Sequence, residues 1–380
     1  MSLPPFAVTV VGSWPRPRRL LDARRRRAPD LLELEDEAVR QAIAAQVEAG
    51  ADLVSDGEQR RGDFTSFVAE RLDGVEAMTM ADLLDHVEDK AAFEALLSAL
   101  DVPAFAIRNP TATGRLARRS PLAADEAAFA ATCTDRPLKV CLPGPYLLSR
   151  TMWVEALSSA AYGSRDELVD DIVRVLREEL ADLAAAGVAC VQLDEPALSE
   201  LVLAGKSATR TFMCGALAAA ASPEQELELA VDAVNRVVDG ADGIEVALHV
   251  CRGNWSADES VLLAGGYAPL VPTLARMRVD RFVLEYATDR AGPLEALAGL
   301  PPGAGLGLGA VNPRTQALEP VEAIVARARA AADLLGPERI QLNPDCGFAT
   351  FAERPVATDA SARAKLGALA AAARVLRATG

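Results

Sequence analysis

The chain has 380 residues, of which 51% are hydrophobic and 24% are charged, a composition that excludes a disordered or fibrous protein. Its net charge of −15 disfavours binding to nucleic acid or to an anionic membrane surface. No apolar run approaches the ~18 residues that a membrane span needs.

The counts of cysteine and histidine limit the possible sites. Six cysteines are too few for a disulfide scaffold in a chain of this length, so we expect a reducing compartment. The first residues show no pattern of a secretory signal, and we therefore expect a cytoplasmic protein. His86 and His249 are the only two histidines, which nearly excludes a site built on several imidazoles.

Eight short apolar segments recur along the chain, each followed by glycine, proline, asparagine or aspartate. Segments that are apolar nearly throughout are typical of strands in a parallel sheet covered by helices. In chain order they are Ala7–Ser13, Ala51–Glu58, Leu138–Pro145, Val188–Pro196, Glu245–Asn254, Arg281–Ala287, Ala304–Pro313 and Ile340–Gly347.

Segments with apolar residues at helical spacing lie between most of these strands. Four of them are followed within two residues by a glycine, the usual left-handed cap: Glu35–Ala49, Asp166–Ala186, Glu224–Val238 and Val321–Leu335. Eight strand–helix units in a chain of this length predict an α/β protein with the fold of a (β/α)₈ TIM barrel.

Residues 75–137, between the second and third strands, are too many for one crossover helix. They predict a helix over Ala81–Leu100 and an extended piece over Val102–Leu116. We interpret this excursion as an insertion over the barrel mouth, within a single domain of residues 1–380.

Polar residues follow the strands at their carboxyl ends, where barrels of this kind have their active sites. His249 and Cys251 are two apart in one strand, so their side chains share a face, with about 7 Å between Cα atoms. Cys346 ends the eighth strand and Glu285 the sixth. One imidazole, two thiolates and one carboxylate suit tetrahedral Zn²⁺. The alternative is a core histidine with inert buried cysteines.

Two carboxylates at strand ends, Glu58 and Asp194, are suited to hold an ammonium group. Gly12 and Ser13 can offer hydrogen bonds to a ligand carboxylate. The alternatives are a surface salt bridge for Glu58, a helix cap for Asp194 and a plain turn at Gly12–Ser13. The basic run Arg18–Arg27 either attracts an acidic substrate tail or forms a solvated helix face.

The remaining candidates favour structural roles. We expect buried, inert thiols and, for His86, a solvated surface histidine; the thiols are Cys133, Cys141, Cys190 and Cys214.

Several motifs appear together in a recognisable order. Over about residues 7–350 the chain resembles the cobalamin-independent methionine synthase family, most closely its short, single-barrel members. The motifs are VGSWPRP, SDGEQRRGDF, VQLDEPAL, HVCRGN, LEYA, LGLGAVNP and NPDCGF.

The resemblance implies a zinc enzyme that transfers a methyl group to the sulfur of homocysteine, which forms methionine. It implies zinc on four ligands, namely His249, Cys251, Glu285 and Cys346. It also implies that Glu58 and Asp194 act in catalysis by binding the amino group of homocysteine, with its carboxylate near Gly12 and Ser13.

The methyl donor stays open. The loop after the seventh strand has Arg314 near the place of a histidine that long members use as proton donor, and Trp153 is offset from their pterin-contacting tryptophan. The candidates are methyltetrahydrofolate, methylcobalamin on a partner corrinoid protein, and another methyl compound. Alternative functions are a thiol transferase of the epoxyalkane:coenzyme M type and a zinc- or thiol-binding protein without catalysis.

Overall fold

The computed structural model describes residues 3–86, 90–91, 108–203, 222–239, 241–254 and 256–379. Nine strands lie in these ranges: β1 (Ala7–Val8), β2 (Leu72–Thr79), β3 (Arg108–Arg118), β4 (Lys139–Pro143), β5 (Cys190–Asp194), β6 (Glu245–Val250), β7 (Arg281–Glu285), β8 (Gly305–Val311) and β9 (Ile340–Pro344).

Seven of the strands form one parallel sheet in the order β1-β9-β8-β7-β6-β5-β4. The gap between β1 and β4 is bridged by Leu53 and Val54, which pair in parallel with Thr9 and Leu138. The N–H of Lys139 donates to the carbonyl of Val54 at 2.8 Å. With Leu53 and Val54 as its eighth strand, the sheet closes into a barrel, and the predicted (β/α)₈ fold is confirmed.

The strands are shorter than the sequence predicts, and the second one differs most. Of Ala51–Glu58 only Leu53 and Val54 pair with neighbours, because Gly57 and Glu58 have positive φ angles of 70° and 53° and leave the strand conformation. The prediction of a strand over these eight residues is thus corrected: only two residues pair as a strand, and a turn follows them.

The helices agree closely with the glycine-capped segments. The helix Leu31–Ala49 ends where Gly50 takes a φ of 98°, and Pro223–Val238 begins with a capping box of Ser222 and Gln225. The α-helices in the described ranges are Arg18–Arg26, Leu31–Ala49, Val68–Arg71, Met80–Leu83, Ala124–Ala131, Pro145–Met152, Glu155–Ser158, Arg165–Ala185, Ala197–Leu203, Pro223–Val238, Val271–Leu274, Val321–Leu335 and Asp359–Thr379.

Short 3₁₀ helices complete the described elements. They are Leu84–His86, Glu259–Val261, Asp289–Ala291, Leu294–Gly299 and Pro337–Arg339. Among the described residues, no helix has both the length and the apolar character that crossing a membrane requires.

The excursion contains an antiparallel hairpin of β2 and β3, in which Leu72 pairs with Arg118 and Thr79 with Arg108. The hairpin contacts the segment after β4, where the hydroxyl of Tyr162 accepts the N–H of Leu116 at 2.8 Å. Within the described residues, the predicted helix Ala81–Leu100 is helical over Met80–Leu83, in the following 3₁₀ turn and at residues 90–91. Its residues 87–89 and 92–100, and residues 102–107 of the extended piece, lie outside the described ranges. The single-domain interpretation and the cover over the barrel mouth stay predictions.

The barrel interior contains an apolar core and, nearer the carboxyl ends of the strands, a layer of polar side chains. Side chains of Val11, Leu53, Cys190, Ala247 and Val283 form a buried apolar cluster. Since side chains two apart in a strand share a face, the residues that follow at this spacing lie on the same inner face, nearer the carboxyl end. They include Asp194 on β5 and His249 on β6, and the strand period therefore positions the polar site above the core.

Candidate metal site and its cavity

Three of the predicted metal ligands, His249, Cys251 and Cys346, meet at the carboxyl ends of β6 and β9. One ligand atom from each, the imidazole nitrogen and two Sγ atoms, lies within 4.8 Å of the other two, and all three residues are buried. The strands β6 and β9 are not neighbours in the sheet, so the barrel brings the two cysteines together. Three donors at this spacing can bind one metal ion.

The imidazole of His249 is oriented by a carboxylate. Strands β5 and β6 pair in a register that sets Asp194 opposite His249, and Nδ1 of His249 lies 2.9 Å from Oδ1 of Asp194. With the proton on Nδ1, the lone pair of Nε2 is available to a metal. The Nε2 atom is buried and has no hydrogen-bond partner among the described residues.

The surroundings of His249 favour a cation. Burial lowers the pKa of His249, but the hydrogen bond and charge of Asp194, together with Cys251 and Glu285, outweigh it and raise this pKa to about 9. A buried site with this excess of negative groups attracts positive charge.

The two thiols interact with each other. Their hydrogen bond lowers the pKa of Cys251, and the same bond, with burial, raises the pKa of Cys346 well above its ordinary value. Each thiol therefore shifts the pKa of the other in the opposite direction. A metal ion that binds both sulfurs as thiolates releases their protons.

Glu285, the fourth predicted ligand, ends β7 and lies outside this group of three. Its Oε1 accepts the backbone N–H of Arg252 at 3.2 Å. Guanidinium nitrogens of Arg252, Arg290 and Arg314 lie 3.6, 3.6 and 3.7 Å from its carboxylate oxygens. Its role as a metal ligand stays a prediction.

Glu58 presents a carboxylate with an available oxygen. Burial raises the pKa of Glu58 to about 7, against the opposing charges of Arg61 and Arg16. Its Oε2 is buried and without a hydrogen-bond partner in the described part of the chain. A Cβ atom at Gly12 would overlap Oε1 of Glu58, so glycine permits this close approach. A carboxylate in this state can bind an ammonium group.

Ser13 is joined to the loop that contains Cys346. Its Oγ accepts the N–H of Ala349 at 3.3 Å, and its carbonyl accepts the N–H of Phe348 at 3.0 Å. The hydroxyl hydrogen of Ser13 is not used in these bonds, so Ser13 can still donate to a ligand.

One partly open cavity at the carboxyl end of the barrel connects the two sets of predicted residues. Seven of the predicted site residues line it: Gly12, Ser13, Glu58, Asp194, His249, Cys251 and Cys346. A small ligand in this cavity would therefore lie beside both the carboxylates and the sulfur atoms.

The sequence analysis assigned no site role to the other lining residues, which include Phe64, Asn254, Thr350 and Phe351. The amide of Asn254 donates to the carbonyl of Gly347 at 2.7 Å and to Oγ1 of Thr350 at 2.8 Å. Asn254 belongs to the HVCRGN motif, so its signal was present. The other three lie in loops past the strand ends, where no periodicity identifies them.

Arg16, also missed, joins the loops of the site. Its guanidinium donates to the carbonyls of Ala349, Glu58 and Arg61 at 2.5, 2.7 and 3.1 Å. Burial lowers the pKa of Arg16 to about 10, although the charge of Glu58 opposes this. Arg16 thereby holds together loops that follow three different strands of the barrel, before any ligand binds.

The basic run forms ordinary ion pairs. Within the helix Arg18–Arg26, Arg24 lies 2.8 Å from Glu35 and Arg25 lies 2.6 Å from Glu353. These pairs favour the structural interpretation of the run over a role in attracting substrate.

The other thiols and the second histidine occupy structural positions. Cys141 and Cys190 are buried within strands, Cys133 is half-buried, and His86 is half-buried at the end of a 3₁₀ helix. Cys214 lies outside the described residues.

Comparisons with known proteins agree on one family. Residues 6–374 match the sequence model of a family described as "Cobalamin-independent synthase, Catalytic domain". A methionine synthase of Sulfolobus acidocaldarius is 27% identical over 348 residues, which cover 90% of this chain and 85% of that protein. A methionine synthase of Pyrococcus abyssi is 29% identical over 356 residues, which cover 92% and 88%.

A solved structure matches the whole architecture. The B12-independent methionine synthase from Shewanella sp. W3-18-1, in complex with selenomethionine, has a TM-score of 0.73 and 23% sequence identity, with 99% of this chain and 98% of that chain covered. This likeness supports the barrel fold.

Proposed function

The chain belongs to the cobalamin-independent methionine synthase family, and from this premise we propose that it is a zinc-dependent methyltransferase that transfers a methyl group to the thiol of homocysteine and forms methionine. The observation that supports this most is a shared cavity. His249, Cys251 and Cys346 line the same space as Glu58 and Asp194, so a metal-binding set and an ammonium-binding set face one ligand.

The residues present fit a zinc ion. An imidazole nitrogen without a hydrogen-bond partner among the described residues and two thiols lie close together and are buried, and zinc prefers such a soft donor set. His249, Cys251 and Cys346 would hold the ion, with Glu285 as the proposed fourth ligand. When bound, zinc would lower the pKa of the acceptor thiol so that its sulfur is a thiolate nucleophile.

The remaining residues bind and orient the acceptor. Glu58 and Asp194 would bind its ammonium group, and Ser13, with the backbone of Gly12, would bind its carboxylate. Both ends of the amino acid are then fixed, so the sulfur is held in line with the methyl donor, which lowers the entropic cost of the reaction. The sulfur forms the new bond to the methyl carbon, and the donor keeps the electron pair of the bond that breaks.

The carboxylates also bear on the alternative substrate. A sulfonate thiol such as coenzyme M would bring a second negative charge towards Glu58 and Asp194, and would lack their ammonium partner. The cavity therefore favours an amino-acid thiol over a transferase of the epoxyalkane:coenzyme M type.

The experiment measures zinc content, and then methionine formation from homocysteine with methyltetrahydrofolate or methylcobalamin supplied separately. We expect one zinc ion per chain and turnover with one of these donors. Coenzyme M with an epoxide is the control acceptor pair. Substoichiometric zinc, or alkylation of coenzyme M in place of homocysteine, would contradict the proposal. Zinc and homocysteine binding without any transfer would favour the non-catalytic alternative.

A further inference from the structure

Three arginines surround the carboxylate of Glu285; we call Arg252, Arg290 and Arg314 the arginine cluster. Each comes from a different loop at the carboxyl end of the barrel, after β6, β7 and β8. Their nitrogens lie 3.6, 3.6 and 3.7 Å from the carboxylate oxygens, and the side chain of Glu285 is 2% exposed. These distances indicate ion pairs that are longer than hydrogen bonds.

Atoms on both sides of one of these contacts lack hydrogen bonds. Oε2 of Glu285 is buried without a partner, and so are Nε and Nη2 of Arg290, as far as the described residues extend. Buried polar atoms are seldom left unpaired. A small rotation of the Glu285 side chain would convert the 3.6 Å contact with Arg290 into a hydrogen-bonded ion pair.

The other two arginines have shorter contacts with groups other than Glu285. Arg252 lies over the ring of Tyr267, 4.1 Å from its centroid, and donates to the carbonyl of Gly265 at 2.8 Å. Arg314 donates to Oε1 of Glu259 at 3.2 Å.

Arg290 has weaker contacts. Its Nη1 lies 3.4 Å from the carbonyl of Glu259, and its side chain is 13% exposed. Arg290 is therefore the arginine of the cluster that is best able to bind Glu285 more tightly.

We propose that Arg290 is a positioning residue, which binds the carboxylate of Glu285 when the acceptor thiolate replaces it as a metal ligand. This inference rests on the proposed function. If a thiolate took the place of Glu285 at a bound metal ion, the charge around the metal would be unchanged, but Glu285 would remain buried and charged. A buried unpaired carboxylate is costly, and an ion pair with Arg290 offsets that cost.

The test compares Arg290→Met with the wild-type chain in two binding measurements. Zinc affinity is measured by competition with a chelator, and homocysteine affinity by calorimetry on the zinc-loaded protein. Without Arg290, Glu285 should bind the metal more tightly and yield to the thiol less readily. We expect zinc to bind about fivefold tighter and homocysteine about fivefold more weakly, the factor that a modest ion pair is worth. A merely structural loosening would weaken both.

A second set of variants separates this role from simple charge repulsion. In a Glu285→Gln background, Arg290→Met should no longer change zinc affinity, whereas repulsion between Arg290 and the metal would persist there. Arg290→Lys keeps the charge and should restore both affinities to within about twofold of wild type. Arg290→Gln, of intermediate length and polar, replaces Arg290→Met if that variant does not fold.

The outcomes distinguish this inference from the function on which it rests. A wild-type chain that binds no zinc contradicts the proposed function. A wild-type chain that binds zinc and homocysteine normally, with an Arg290→Met effect equal in both backgrounds or absent, overturns only the role of Arg290.

Discussion

Oδ1 of Asp194 lies 2.9 Å from Nδ1 of His249, so one carboxylate both orients a proposed metal ligand and lines the acceptor cavity. We expect Asp194→Asn to weaken zinc binding about tenfold, because the loss of such a carboxylate costs this much in metal sites. Homocysteine binding should weaken by more, since the ammonium partner is lost as well. Chelator competition and calorimetry measure the two effects.

Glu58→Gln is the matched control, because it removes a carboxylate of the cavity whose side chain is not hydrogen-bonded to His249. It should weaken homocysteine binding and leave zinc affinity unchanged. Equal losses of zinc affinity in both variants would contradict the orienting role of Asp194.

The two site cysteines should be essential for the metal. We expect Cys251→Ala and Cys346→Ala each to lose stoichiometric zinc while the circular dichroism spectrum stays that of the folded barrel. Cys190→Ala is the control, because Cys190 is a buried thiol in the apolar interior of the same barrel. Stoichiometric zinc in both site variants would show that the ligands are assigned wrongly.

The affinity of the proposed acceptor site for an amino acid should depend on pH, because Glu58 changes its charge. Burial raises the pKa of Glu58 to about 7, so below pH 7 the side chain becomes a neutral acid that no longer attracts an ammonium group. Methionine, the expected product, is the useful ligand because it has no thiol to titrate. Its affinity should level off above about pH 8 and fall by about tenfold per unit well below pH 7.

In Glu58→Gln the affinity for methionine should be lower, and should lack this dependence between pH 5 and 7. A wild-type profile that is flat across that range would exclude the carboxylate of Glu58 as the ammonium partner.

Gly12 should tolerate no side chain. A Cβ atom there would overlap Oε1 of Glu58 and lie 2.8 Å from Sγ of Cys141. We expect Gly12→Ala to displace Glu58 and lower homocysteine affinity about tenfold or more, since such overpacking costs about 1–3 kcal/mol. At Gly62 nothing lies within 4 Å of an added Cβ, so Gly62→Ala should bind homocysteine as the wild type does. Similar affinities in the two variants would count against the contact between Gly12 and Glu58.

Much of the barrel was predictable because each unit has a local signal. The helix Leu31–Ala49 ends at a glycine, and β8 is an apolar run that precedes a polar loop. The length of the second strand was overpredicted. Hydrophobicity identifies Leu53 and Val54 but does not indicate the positive φ angles of Gly57 and Glu58, which follow them. Local pattern thus predicts which residues are buried more reliably than which residues pair.

The candidate site, too, was predictable from the sequence only in part. His249 and Asp194 follow from strand period and strand ends, since both lie on inward faces at the carboxyl edge. The contacts of Glu285 with Arg252 and Arg290 did not follow, because loops after neighbouring strands have no periodicity that fixes their side chains. The family resemblance named Glu285 as a ligand but gave no information on the arginine cluster.

The bonds from Ser13 and Arg16 to the loop after β9 have a consequence for biosynthesis. Ser13 and Ala349 are separated by 336 residues, so the amino-terminal wall of the cavity cannot be completed until residue 349 has been translated. Contacts this distant form late and slowly. A nascent chain halted before residue 346 has neither Cys346 nor the carbonyl of Ala349 that Arg16 binds. We therefore expect a chain released early by the ribosome to be unable to sequester metal or amino acid.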